Sequence, residues 1–131
     1  VLRVKLAHLD AWHARRTTLA QAYLHGLRDT GLVLPHVPDW AQPAWHLFVV
    51  RHRQRDDLQR ALSDAGIGSL IHYPIPPHKQ QAYADAGYPA DAFPLASQLA
   101  TEVLSLPMGP QLLTEQARVV VAAVRNVVSA A

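Results

Sequence analysis

Gly66-Ile-Gly-Ser-Leu-Ile-His-Tyr-Pro-Ile-Pro-Pro-His-Lys-Gln-Gln-Ala-Tyr83 is a short apolar run that drives straight into a proline loop. Ser69 to Tyr73 has the composition of a strand. Pro74, Pro76 and Pro77 then lock φ and remove amide donors, so sheet pairing must stop there. A stiff loop carrying polar side chains is what remains. His72 and Tyr73 stand at the strand's end, with His78 and Gln80 just past the prolines, so these side chains are expected to converge at one rim. All of them can hydrogen-bond, and the histidines can move protons near neutral pH. Rigid loops that carry such groups are common binding elements. A plainer reading of the same residues makes His72 and Tyr73 half-buried strand residues and His78 the cap of the next helix.

Working upstream, Gln54 to Ala65 predicts a helix that Gly66 terminates, with Asp56 and Asp57 in the first turn, where the macrodipole favours anions. Its inward residues are Leu58, Ala61, Leu62 and Ala65. Trp45-His-Leu-Phe-Val-Val-Arg51 is aromatic and β-branched and reads as a buried central strand, its His46 a satisfied core or edge residue. Leu32 to Leu34 is a further short strand, followed by an irregular crossing marked by Pro35, Pro38 and Pro43. Before that, Leu2, Leu6, Leu9, Trp12, Leu19, Ala20, Tyr23, Leu24 and Leu27 recur at three- and four-residue steps. They predict one helix over 1–30, ending near Gly31. At 1.5 Å per residue it would be about 40 Å long, more than a small domain needs, so its first half is expected to pack on an upstream portion or a partner chain. The pattern also begins at Val1 without a capping residue, as expected of a C-terminal fragment.

Downstream, Gln80 to Ala86 predicts a short helix, Gly87 to Pro94 an exposed turn and Leu95 to Thr101 another helical segment. Val103 to Pro107 is a proline-stopped strand. Thr114 is placed to cap a last helix whose buried face is Leu113, Ala117, Val120, Val121, Val124, Val127 and Val128. Alternating β and α segments imply an α/β (α+β) small domain at 31–131, with a sheet of about three strands and helices on one side, behind the long linking helix.

With 131 residues, half of them hydrophobic, the chain has the size of one domain with a real core. Twelve basic residues against ten acidic ones leave a formal charge of +2, and the basic residues are scattered, so nucleic acid is not an expected partner. The absence of cysteine excludes disulfides and thiolate metal sites and fits a cytoplasmic protein. No apolar run approaches the roughly 20 residues needed to cross a bilayer, so no membrane partner is expected.

Several chemistries lack their residues. Gly66 and Gly68 close a helix and open a strand, the reverse of the order a phosphate cradle needs. No two histidines share a helical face beside a carboxylate, so no metal is expected. Ser69 and Ser105 sit in strands without a nucleophile elbow. On its residues alone, the domain contributes side chains to a site completed elsewhere.

The run Gly66 to His78, with Gln80, Ala82-Tyr83, Phe93-Pro-Leu-Ala96 and Glu102-Val-Leu-Ser-Leu-Pro-Met108, resembles the C-terminal part of nucleotide-sugar aminotransferases of the DegT/DnrJ/EryC1/StrS family. Leu2-Arg-Val-Lys-Leu6, Leu9-Asp-Ala-Trp12, Arg15-Arg16 and Ala22-Tyr23 resemble the family's long helix after the large domain, and Trp45 to Val50 its first small-domain strand. The resemblance implies the C-terminal domain of a type I pyridoxal 5'-phosphate-dependent transferase that works as a homodimer. Its activity moves an amino group from glutamate to a nucleotide-linked keto sugar, and the wording around His72 is most like members acting on dTDP-3-keto-6-deoxy sugars. The family's Schiff-base lysine and most of its phosphate cradle belong to the large domain; Lys5 and Lys79 do not match that motif. This stretch by itself is therefore expected to bind no cofactor and to be inactive, with no catalytic residue of its own. His72 and Tyr73 are assigned by the resemblance to the sugar, His78 and Gln80 to substrate or the partner subunit. Competing expectations are an inactive sensor or scaffold, a sugar dehydratase in which histidine replaces that lysine, and a free-standing domain using the proline loop for peptides or anions.

Overall fold

Phe48 to Arg51, the centre of the expected strand, forms β1 and pairs antiparallel with β2, Val103 to Leu106, setting Phe48 opposite Leu106 and Arg51 opposite Val103. These strands belong to a computed structural model that describes residues 1–89 and 91–129. The sheet has two strands where about three were expected. The segments at Leu32–Leu34 and Ser69–Tyr73 each contribute one bridge to its margins, Val33 to Arg51 and Leu70 to Ser105. Prolines at 35 and 74 stop either segment from extending its ladder. β1 also starts later than expected. The Arg16 guanidinium donates to the carbonyls of Trp45 and His46 at 3.0 Å each, so these oxygens are spent on a side chain. Trp45 is buried with its ring 5.5 Å from Phe48, while His46 is exposed.

The expected single helix over 1–30 is two, α1 (Leu2–Leu6) and α2 (Leu9–Gly26). The His8 amide donates to the Lys5 carbonyl, an i to i−3 bond that tightens the chain into a turn between them. Leu19, Ala20, Tyr23 and Leu27 enter the core, whereas Leu2, Leu6 and Leu9 on the same stripe are more than half exposed. Helix α2 ends at Gly26 rather than near Gly31. A Cβ at Gly26 would stand 2.7 Å from Val121 Cγ1, so glycine is what lets α2 and the last helix cross this closely.

Helix α3 (Arg55–Asp64) buries Leu58 and Leu62 and half-buries Ala61. Ala65, expected to face inward, lies past the last helical residue and is exposed. The termination is a Schellman motif: Gly66 at φ +74° donates to Ser63, Ile67 donates to Leu62, and the Ile67 side chain is buried. Arg55 is itself buried. Its Nη1 donates to the Val103 and Ala100 carbonyls at 2.9 and 3.3 Å, and Asp56 pairs with its Nε, tying α3 to the start of β2.

The helix expected at 80–86 is a 3-10 turn, Gln81–Ala86, preceded by another at Pro77–Lys79, and α4 spans Pro94–Glu102. Of the expected exposed turn at 87–94, Ala90 lies outside the described residues. Helix α5 (Thr114–Ser129) buries Ala117, Val120 and Val124 and half-buries Val121, Val127 and Val128. Leu113, expected in that face, is 65% exposed because it precedes the helix. Thr114 is the first helical residue, and the capping contact comes from Gln116, whose Oε1 accepts the Leu113 amide at 2.9 Å. Helix α5 packs on α2 and α3, with Tyr23 of α2 set 5.0 Å from the Phe48 ring.

The Tyr23 hydroxyl donates to the Pro107 carbonyl at 2.8 Å inside this core, and burial pushes the phenol well above its ordinary value. A raised pKa contributes stability that is complete below the free-tyrosine value of about 10 and is lost as pH rises past it. Tyr23→Phe leaves the carbonyl without that donor and should cost about 1 kcal/mol in urea denaturation. An unchanged midpoint would show that the hydroxyl contributes nothing.

Candidate functional site

The Ser105 amide and carbonyl both bond to Leu70 on one side, Val49 of β1 stands opposite it on the other, and the residue is 4% exposed. That makes Ser105 Oγ a fixed point, and His72 Nδ1 shares a 2.9 Å hydrogen bond with it. The half-buried imidazole is thus anchored at one nitrogen and has Nε2 as its other polar position. Tyr73, joined to it by a cis peptide bond, is 72% exposed and meets the His72 ring edge-on at 5.5 Å. Gln80 Nε2 donates to the Ile75 carbonyl at 3.4 Å, folding the chain after the proline run back onto it. His72, Tyr73 and Gln80 line one cleft of about 310 Å³ whose floor is Leu99, Ala100 and Val103. Polar groups on one wall and an apolar floor suit a ligand with hydroxyls on one face.

His78 falls elsewhere. The 3-10 turn at Pro77–Lys79 swings it toward α4, where Nε2 lies 3.3 Å from Ser97 Oγ and its ring 4.9 Å from Phe93. There it lines a second cleft, also about 310 Å³, with Tyr83, Tyr88 and Phe93. Both clefts share Pro77 and Ala96. The expected convergence of side chains therefore holds for His72, Tyr73 and Gln80, with His78 one wall away.

A third cleft, about 460 Å³, is lined by Arg51, His52, Arg53, Gln98 and Glu102 among others. Gln98 donates to Glu102 at 2.8 Å and Arg51 pairs with it at 2.7 Å; these bonds, Gln98 first, hold the carboxyl below its ordinary range. No local pattern links residues 51 apart, so this pair was missed from sequence, as was the His72–Ser105 bond. Lys5 and Lys79 are both exposed and line neither cleft of the proline loop. Among the described residues no cluster of three metal-ligating side chains occurs, and no helix is long and apolar enough to cross a membrane.

The profile of the DegT/DnrJ/EryC1/StrS aminotransferase family matches residues 1–125. The chain belongs to this family. Within it, the chain is 58% identical over 126 residues to the erythromycin biosynthesis sensory transduction protein EryC1 of Saccharopolyspora erythraea. It is 48% identical over 127 residues to the dTDP-3-amino-3,4,6-trideoxy-alpha-D-glucose transaminase of Streptomyces venezuelae. These matches take in 95% and 96% of this chain but 34% of either relative, so the chain spans about a third of their length. A crystal structure of S. venezuelae DesV in complex with a ketimine intermediate superposes with a TM-score of 0.93 at 47% identity, over 96% of this chain and 34% of that one. The mixed helix and sheet fold is therefore that of one part of a sugar aminotransferase.

Proposed function

We propose that the chain is the C-terminal domain of a longer pyridoxal phosphate-dependent aminotransferase, with 1–30 as linking helices and 31–131 as the small domain. The reaction moves an amino group from glutamate to a keto-deoxy sugar carried on dTDP, in a homodimer. What carries the reading is the DesV superposition at 47% identity over almost the whole chain. The carrier is a pyrimidine nucleoside diphosphate, because the sugar transaminases among the relatives have names that specify dTDP or UDP.

The lysines here do not fit the carbonyl-capturing role. Lys5 and Lys79 are exposed and neither lines the His72 cleft, so the cofactor's seat is assigned to residues other than these. Bound there, the cofactor supplies the electron sink for the amino transfer. This chain's own part is positional. His72, held by Ser105, presents Nε2 to a sugar hydroxyl; the Tyr73 hydroxyl adds a second contact; the Gln80 amide ties the proline loop to itself at Ile75. The apolar floor of Leu99, Ala100 and Val103 excludes water beneath a deoxygenated carbon.

A second reading, an inactive sensor, is favoured by the names of two relatives, the sensory transduction protein and a pleiotropic regulatory protein of Geobacillus stearothermophilus at 37% identity. One absorbance experiment on the full-length protein separates them. A visible band with pyridoxal phosphate that glutamate bleaches and a dTDP-keto sugar restores is the transaminase result. The sensor reading predicts no such band.

A further inference from the structure

Resting on the reading that the His72 cleft receives the sugar, we propose that Arg55 is a positioning residue for the reaction, a buried guanidinium that sets the height of the cleft floor. That floor is the last turn of α4 and the start of β2, where Leu99, Ala100 and Val103 line the cleft. Val103 is also the C-cap of α4, so the carbonyls of residues 100–103 are the ones the helix leaves without partners of its own. The segment after β1 supplies partners from outside. The His52 amide donates to the Glu102 carbonyl at 3.0 Å, and the single Nη1 of Arg55 donates to Ala100 and Val103 at 3.3 and 2.9 Å. One nitrogen thus holds two of the three floor residues by their backbone, with its positive charge at the helix end that favours cations.

Arg55 is itself well placed to act as a reference point. It is 6% exposed in the first turn of α3, a helix anchored in the core by Leu58 and Leu62. Stability alone explains a buried arginine poorly, since an apolar side chain of similar volume in place of a buried ion pair is often neutral or stabilising. This pair is also lopsided, with the Asp56 carboxylate 73% exposed. What an apolar side chain cannot do is hold two carbonyls at a set spacing from one planar group. Both sides of the cleft are registered to β2 in this way, His72 above through Ser105 and the floor below through Val103. Arg55 maintains the gap between them. Without it the end of α4 is free to shift, and a sugar gripped by His72 and Tyr73 loses its fit to the apolar floor.

The test uses Arg55→Met, which keeps the volume and removes the donors, and Arg55→Lys, which keeps the charge without the planar fork, both in the full-length protein. Misplacement of a binding wall should raise KM for the dTDP-keto sugar about 10-fold in Arg55→Met, with kcat and the glutamate half-reaction changed less than about twofold. Arg55→Lys should lie between Arg55→Met and the unaltered protein. Arg60→Met, on the same helix but in an exposed pair with Asp57, should leave every parameter unchanged. Amide exchange across α4 and β2, followed by mass spectrometry, should quicken about 10-fold in Arg55→Met and stay unchanged in Arg60→Met. A folded Arg55→Met with an unaltered sugar KM overturns the proposal, as do equal losses in both half-reactions or failure of both Arg55 variants to fold, which would make the residue structural. Amide exchange needs neither cofactor nor sugar. Failure of glutamate to bleach the unaltered protein therefore counts against the transaminase reading, whereas unchanged exchange in Arg55→Met counts against the hold of Arg55 on the floor.

Discussion

An aspartate in place of Val124 is expected to unfold the protein at neutral pH. Val124 is fully buried in α5, in the core cluster that joins α2, α3 and the sheet. The substitution removes apolar area worth about 1.5–3 kcal/mol and adds a carboxylate without a partner, which costs at least several more. Against a usual domain stability of roughly 5–15 kcal/mol, a loss above about 4 leaves little or no folded population. Two controls grade the effect along one helix. Val119, 62% exposed on the same α5, should tolerate aspartate within about 0.5 kcal/mol. Val121, half-buried against Gly26, should fall between. The pH dependence has a definite sign as well. Burial raises the new carboxyl's pKa, so folding of the variant is favoured by acid and lost as pH rises through that value. A cooperative urea transition for Val124→Asp at pH 7 with the original midpoint would mean that the buried face of α5 has been misassigned.

How far these elements could be read from sequence depended on the range of the interaction. Leu58 and Leu62, or Val120 and Val124, recur at helical spacing, and Gly66 ends α3 through the left-handed turn its position implied. Those are local facts. Leu2, Leu6 and Leu9 show the limit: periodicity marks which face of a helix is apolar, not whether anything in this chain covers it. Leu113 fails for a related reason, since it falls on the α5 stripe but sits one residue ahead of the helix. At Ser69–Tyr73 the composition of a strand was plain, yet only Leu70 pairs, because a ladder also needs a partner and the loop prolines end it. The site divides in the same way. That His72, Tyr73 and Gln80 flank one rigid loop is visible in order along the chain. Ser105 as the anchor of His72, 33 residues away, is set by the β2 register and leaves no trace in local pattern. His78 leaves the group because the 3-10 turn at Pro77–Lys79, just ahead of the expected helix, carries it to Ser97 of α4.

His72→Ala should lower kcat/KM for the dTDP-keto sugar about 10- to 100-fold while the reaction with glutamate changes less than twofold. The magnitude follows from leaving a sugar hydroxyl without its partner in the cleft, roughly 1–3 kcal/mol. The selectivity follows from placement: His72 is proposed to touch the sugar and not the cofactor. Ser105 gives the finer test, because it acts through His72. Ser105→Ala removes the hydroxyl that fixes Nδ1 and frees the ring to rotate, so it should raise KM for the sugar with a smaller loss than His72→Ala, and the double variant should be no worse than His72→Ala alone. A merely structural Ser105 predicts instead a lowered melting temperature, equal losses in both half-reactions and additive effects in the double variant. His72→Asn, whose amide can take the place of Nδ1 toward Ser105 Oγ but has nothing at the Nε2 position, should lose nearly as much as His72→Ala if Nε2 is what touches the sugar. Loss of pyridoxal phosphate binding in His72→Ala would move this histidine from the sugar to the cofactor and remove the basis for assigning the proline loop to substrate.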